Sequence, residues 1–295
     1  MNNSARILGI SFFLILTFAF VELVGGFLTN GLALLSDAGH MLTDSVSLLI
    51  AFVAQVLVMR VRDRRMTYGL HRLEVMAALI NGLFLIALVG YIAYEAFHRF
   101  LAPEPVLGLP MLVIATAGLL INLGVGYILF KGAEENINIR AALLHVITDT
   151  LGSVAAIIAG ITAWLWDFYL ADPILSIAVS LLILPGAYSV IRESLSVLLE
   201  VVPSAIDPEM IEREIKSVDG VEDVHDLHIW SITKGNVVLT AHVVVKDANA
   251  CNDILRDIEE IAIKNGISHT TVQIEREGHC YSPFCPFLRK SENLH

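Results

Sequence analysis

Two histidine–aspartate pairs at four-residue spacing, His40 with Asp44 and His145 with Asp149, stand inside the apolar stretches LLSDAGHMLTDSVSLLIAF and AALLHVITDTLGSVAAIIAG. That spacing puts both side chains of a pair on one helix face, a turn apart. Two imidazoles and two carboxylates make a four-coordinate nitrogen and oxygen set of the kind a divalent transition metal accepts. An ionisable side chain at membrane depth costs about 2.5–3.5 kcal/mol on insertion scales, so it normally faces a protein interior and has a function. One such pair can be a packed histidine with its hydrogen-bonding aspartate. Two pairs repeat the cost and point to an ion site inside a membrane. With the metal gone the same atoms would hold protons, so metal and protons compete for one ligand set. Asp37 reads either as a wall of the exit path or as a local polar partner, and Glu22 and Asn122 as structural or outlying polar groups.

The elements that must carry these residues are membrane helices. Hydrophobic residues make up 56% of the 295 and charged residues only 17%, against about 45–50% and about 25% in soluble domains. Mean hydropathy is +0.70. A helix needs about 20 mainly apolar residues to span a bilayer, and six runs qualify: 7–28, 32–59, 75–97, 109–130, 141–164 and 173–190. The first, SFFLILTFAFVELVGGF, is expected to stay as a helix rather than be cleaved as a signal. Arg6, the group Arg60, Arg62, Arg64, Arg65 and Arg72, then Lys131, Arg140 and Arg192 all fall on one side, and only Arg99 falls on the other. The positive-inside rule makes the first side cytoplasmic, along with both termini. The helices bearing the two pairs then run antiparallel, so the pairs meet head to tail near the midplane.

From Glu200 onward the polarity becomes ordinary, with 17 acidic and 9 basic residues. An acidic balance disfavours nucleic acid and suits cations. We expect a membrane domain over 1–199, a linker over 200–207, a cytoplasmic domain over 208–277 and a cysteine-containing tail over 278–295. Asp207 before Pro208 signals a helix start. VHDLHIWSI and NVVLTAHVVVK alternate as hairpin strands around KGN. A second helix is expected over 249–264, stopped by Asn265-Gly266, and SHTTVQIER is a last strand. This αββαβ order suits a small α+β domain of the ferredoxin-like type. His225 and His242 fall on the paired strands and Glu275 on the last, and Cys280 and Cys285 in HCYSPFC can swing over that face. Imidazole, carboxylate and thiolate together form a usual zinc set. His228 is expected in the core and Cys251 as a buried or capping residue. Three cysteines do not suggest a disulfide framework.

LLSDAGHMLTD, TYGLHRLEVMAALING, ALLHVITDTLGSV, and VHDLHIWSI with AHVVV resemble the signatures of the cation diffusion facilitator family, closest to its zinc-transporting branch. The resemblance covers nearly the whole chain. It implies a homodimer of six-span protomers in a lipid bilayer, each exporting a divalent cation from the cytosol in exchange for protons. It assigns the transport site to His40, Asp44, His145 and Asp149, and His40 favours zinc as the cargo, with cadmium or cobalt as alternatives. It also implies a site between the basic loop and the tail domain, at His71 and His269, although His71 alone reads as an ordinary interfacial histidine. It supports His225, His242 and Glu275, with one or both of Cys280 and Cys285, as ligands of a regulatory zinc. The family's histidine-rich loop between the fourth and fifth spans is replaced here by KGAEENINIR. The compact chain leans toward a bacterial inner membrane.

Two rival functions differ in what they require. An intramembrane metalloprotease needs His-Glu-x-x-His or an equivalent with an open coordination position, and that motif is absent from the sequence. A membrane-tethered metal sensor would bind the cation without moving it.

Overall fold

The computed structural model describes residues 3–60, 67–130, 137–233, 235–246 and 251–275; within its helices some side chains, including those of Asp44 and His145, lie outside that description. The expectations placed on Cys280, Cys285 and Lys131 also fall outside the described residues. The chain divides into two units, Met1–Val53 with Ala77–Ile191, and Ala54–Met76 with Arg192–His295.

Six long helices follow in order: α1 (Asn3–Thr29), α2 (Leu32–Arg60), α3 (Arg72–Leu101), α4 (Gly108–Phe130), α5 (Ile137–Trp166) and α6 (Ala171–Leu198). Among the described residues, five of them (all but α2) are long and apolar enough to cross a membrane. The protein is thus a multi-pass helical membrane protein. Large apolar side chains such as Phe84, Leu120 and Leu182 are more than half exposed at mid-helix, which suits a surface solvated by lipid tails. The interior is built from small residues: Ala33, Ala115, Ala156, Ala159 and Ala163 form one buried cluster with Leu34 and Met111. A Cβ on Gly160 of α5 would sit 3.0 Å from the backbone N of Leu112 on α4. Close backbone approach of this kind is how helices associate where no hydrophobic drive separates them from lipid.

The helices outlast their apolar runs, because their ends are set by backbone capping rather than by where hydrophobicity stops. α1 turns at Asn30, with φ +57°, and the Gly31 N–H reaches the Gly26 carbonyl at 3.0 Å. α6 continues to Leu198, ending when Glu200 takes φ +59° and the Val201 N–H bonds the Ser196 carbonyl at 2.9 Å. Both are left-handed Schellman ends, made here without glycine at the turning residue.

The remaining elements are α7 (Pro208–Lys216), β1 (Val221–Thr233), β2 (Asn236–Val245), α8 (Cys251–Lys264) and β3 (His269–Glu275). Asp207 caps α7, accepting the Glu209 and Met210 N–H groups at 3.0 and 3.3 Å. The sheet order is β1-β2-β3, with β2 antiparallel to β1 and parallel to β3. A parallel step needs a crossover, and α8 supplies it. Ile211 and Ile215 of α7 and Ile254 and Ile258 of α8 share one core with Val224, Ile229, Leu239 and Val243. That covers one sheet face and leaves the other for polar residues. Cys251 is half-buried against this core.

Candidate metal centres

His40 on α2 and Asp149 on α5 meet in the helix bundle, with Nε2 4.0 Å from Oδ1. Asp149 is 1% exposed. One turn away on the same two helices, Asp37 lies over Gly152, where any Cβ would collide with the carboxylate. The residue number rises on α2 as it falls on α5, so these helices are antiparallel where they touch. Asp37, His40 and Gly152 line a cavity of about 20 Å³ closed by Leu151, Val179, Leu182 and Ile183. That is room for one water or one ion. An imidazole and a carboxylate as close as His40 and Asp149, beside such a space, can share a cation.

Asp37 is 2% exposed and is held by a chain of side-chain hydrogen bonds. The Ser153 hydroxyl donates to its Oδ2 at 3.3 Å, and the Asn122 amide donates to Ser153 Oγ at 3.3 Å. The local-partner alternative for Asp37 therefore has a partner in Ser153.

Asp172, on the first turn of α6, was not among the residues singled out from sequence. Its carboxylate accepts the Leu32 and Ala33 N–H groups at 2.7 and 2.9 Å, so α6 caps the start of α2. Arg99 of α3 also donates to Asp172, at 3.2 Å, and to the Asn30 carbonyl and side chain at 2.7 and 2.8 Å. An aspartate beside a proline at a helix start looks like routine capping of its own helix, which hides this role.

The second centre lies on the open face of the sheet. His225 and His242 are directly opposed in the β1–β2 ladder, with ring centroids 5.2 Å apart. Glu275, at the end of β3, approaches His225 Nε2 at 3.2 Å and His242 Nδ1 at 2.8 Å. One ligand atom from each of the three lies within 4.8 Å of the others. Two imidazoles and a carboxylate fit a zinc or similar cation. A β-bulge between His225 and His228 shifts the register, with Asp226 at φ +53°. The extra residue turns Asp226 to the same face, where Oδ2 stands 3.6 Å from His242 Nε2 and Oδ1 3.0 Å from His228 Nε2. Strict alternation from His225 would set Asp226 on the opposite face. His228, expected in the core, is instead sent outward by the bulge, with its side chain 61% exposed.

His71 ends the turn before α3, and His269 is exposed at the start of β3. No hydrogen bond or ion pair joins them among the described residues. The contact observed near His71 is the Arg72–Glu200 ion pair at 2.6 Å.

Residues 8–199 match the cation efflux transmembrane domain, and residues 203–277 match the cytoplasmic domain of cation efflux proteins. The chain belongs to the cation efflux family. As a cation efflux protein it is a transporter and not an enzyme, consistent with the resemblance noted from its motifs. It is 45% identical to a "Cadmium, cobalt and zinc/H(+)-K(+) antiporter" of Bacillus subtilis, over 93% of this chain and 90% of the relative. It is 40% identical to the zinc transporter ZitB of Pectobacterium atrosepticum, over 99% and 92%. It is also 40% identical to the metal cation efflux system protein CzcD of Cupriavidus metallidurans, over 93% and 87%. A solved metal-bound C-terminal domain of CzcD is 39% identical over 24% of this chain and 99% of its own, with a TM-score of 0.23.

Proposed function

We propose that this cation efflux protein moves a divalent cation, zinc first and cadmium or cobalt as alternatives, out of the cytosol in exchange for protons by alternating access. The observation that carries the reading is the buried meeting of His40 and Asp149 across antiparallel helices. Continued one turn, the same helix register carries positions 44 and 145 to one level of the bundle, which supports reading His40, Asp44, His145 and Asp149 as one ligand set. Proton competition for those atoms gives the exchange its chemistry. The relatives' names, a zinc transporter and a metal/H+ antiporter, support both cargo and counter-ion.

We read six spans, with α2 as the one beyond the five identified by apolarity; an even number leaves both termini and the tail domain on one side, read as the cytoplasm of a bacterial inner membrane. The arginine distribution supports that orientation. The αββαβ order supports the ferredoxin-like class, and the boundaries 1–199, 200–207, 208–277 and 278–295 follow the change in polarity. The protein acts as a homodimer. His225, His242 and Glu275, joined by Cys280 or Cys285, bind a regulatory zinc; His71 and His269 offer an additional loading position. A tail centre alone would suit a tethered sensor, and flux separates the two readings. Proteoliposomes of the wild type should show saturable zinc uptake or release that depends on the pH gradient. In Asp149→Ala it should fall to the rate of empty vesicles. Absence of wild-type flux refutes transport, and undiminished flux in Asp149→Ala refutes the ligand assignment.

A further inference from the structure

Four buried polar side chains beside the membrane centre have no role yet: Glu22 on α1, Asp37 on α2, Asn122 on α4 and Ser153 on α5. Each is at most 2% exposed. The hydrogen bonds from Asn122 to Ser153 and from Ser153 to Asp37 tie α4, α5 and α2 together. Glu22 enters from α1 opposite Gly118, whose Cβ, if present, would come 2.7 Å from Oε1. Asn122 is the next turn of that same face of α4. Glu22 is near enough to Asp37 and Asp149 for their charges to interact.

Two acceptors in this group are unsatisfied. Glu22 Oε2 and Asn122 Oδ1 are buried with no hydrogen-bond donor among the described residues. A buried carboxylate without a compensating charge is costly, and a neighbouring carboxylate adds repulsion. A proton on Glu22 removes that charge and turns an orphan acceptor into a donor. The carboxylate oxygens of Glu22 and Asp37 sit against Gly118 and Gly152, in the spaces that side chains there would fill.

We propose that Glu22 and Asp37 form a proton-binding site of the transport cycle, separate from the metal ligands. The inference rests on the metal/proton exchange proposed above. Asp37 lies one turn from His40 toward the α1–α2 turn, and Ser153 lies one turn from Asp149 along antiparallel α5, so both steps lead to the same end of the bundle. In the proposed orientation that is the non-cytoplasmic end, from which protons load. Among the described residues, the titratable groups near Glu22 are Asp37 and Asp149; those near Asp37 are Glu22, Asp149 and, across the shared cavity, His40. Protons bound here favour departure of the metal by cancelling the carboxylate charge that attracts it, and an arriving divalent charge displaces them.

Infrared difference spectra of the purified full-length protein, with and without zinc, test this directly. Zinc should bleach a carboxylic-acid carbonyl band in the wild type. Glu22→Gln and Asp37→Asn should each remove part of that bleach and release about one fewer proton per zinc, while zinc still binds. Zinc binding with no bleach in the wild type overturns the site without requiring any variant to fold. So does a bleach and proton count unchanged in both variants. If instead Asp149→Ala leaves zinc binding intact, the metal-site reading is what fails.

Discussion

At the tail centre His242 has a carboxylate on each side of its ring, Glu275 at Nδ1 and Asp226 near Nε2. When a metal takes the Nδ1 side, Asp226 is placed to hold the opposite N–H and fix the tautomer, as carboxylates behind metal-bound histidines do. Asp226→Asn should therefore weaken zinc binding at this centre by about tenfold or more, read by competition titration of the purified full chain. The mutation should leave the thermal unfolding midpoint of the protein nearly unchanged, because Asp226 is on the solvent side of the sheet. His40 and Asp149 could be picked out from sequence because titratable groups in apolar runs are costly. Asp226 could not, since one residue inserted into β1 decides which way it points. Val224 and Ile229 both face the core, an odd separation that strict alternation forbids.

Elements were read more reliably than their edges. Apolar run length predicted the six long helices, five of which are long and apolar enough to span among the described residues, and pattern with capping residues predicted the α7-β1-β2-α8-β3 order. The end of α6 lies eight residues beyond its apolar run, where a non-glycine residue, Glu200, takes the left-handed turn. The sheet's parallel β2–β3 pairing was also beyond a strand-by-strand reading, as it depends on where α8 returns the chain. The α7–β1 joint gives a test at this scale. Lys216 bonds Asp223 at 3.0 Å. Partial burial pushes the Asp223 carboxyl up, but the Lys216 hydrogen bond and the Val224 N–H pull it further down, so it ends below its ordinary value. A carboxylate depressed in the folded state stabilises above its unfolded value, and that contribution disappears as pH falls through the folded one. Asp223→Asn should thus cost a little stability at neutral pH and nothing at acid pH. Denaturant unfolding of the full chain followed by tail-domain fluorescence would show the difference closing below about pH 4. The pair is largely exposed, so the effect is small.

Across the molecule, one carboxylate joins three helices: Asp172 of α6 accepts the first N–H groups of α2 and the guanidinium of Arg99 on α3. Asp172→Ala strands buried donors on two elements and should destabilise the detergent-solubilised protein by about 3 kcal/mol. Asp172→Asn, which keeps one acceptor, should cost less, and thermal melts of the two variants would rank them. The joint also sets the mechanics of α2. Pinned at Leu32 and free of that anchor at Arg60, the helix can act as a lever whose fulcrum lies about two turns from His40. At 1.5 Å per residue, a swing of about 10° carries the Arg60 end some ~7 Å but shifts His40 by only ~2 Å. That short-arm movement is about the length of one metal–ligand bond, so a single tilt can open a wide vestibule at one end while undoing coordination at the other.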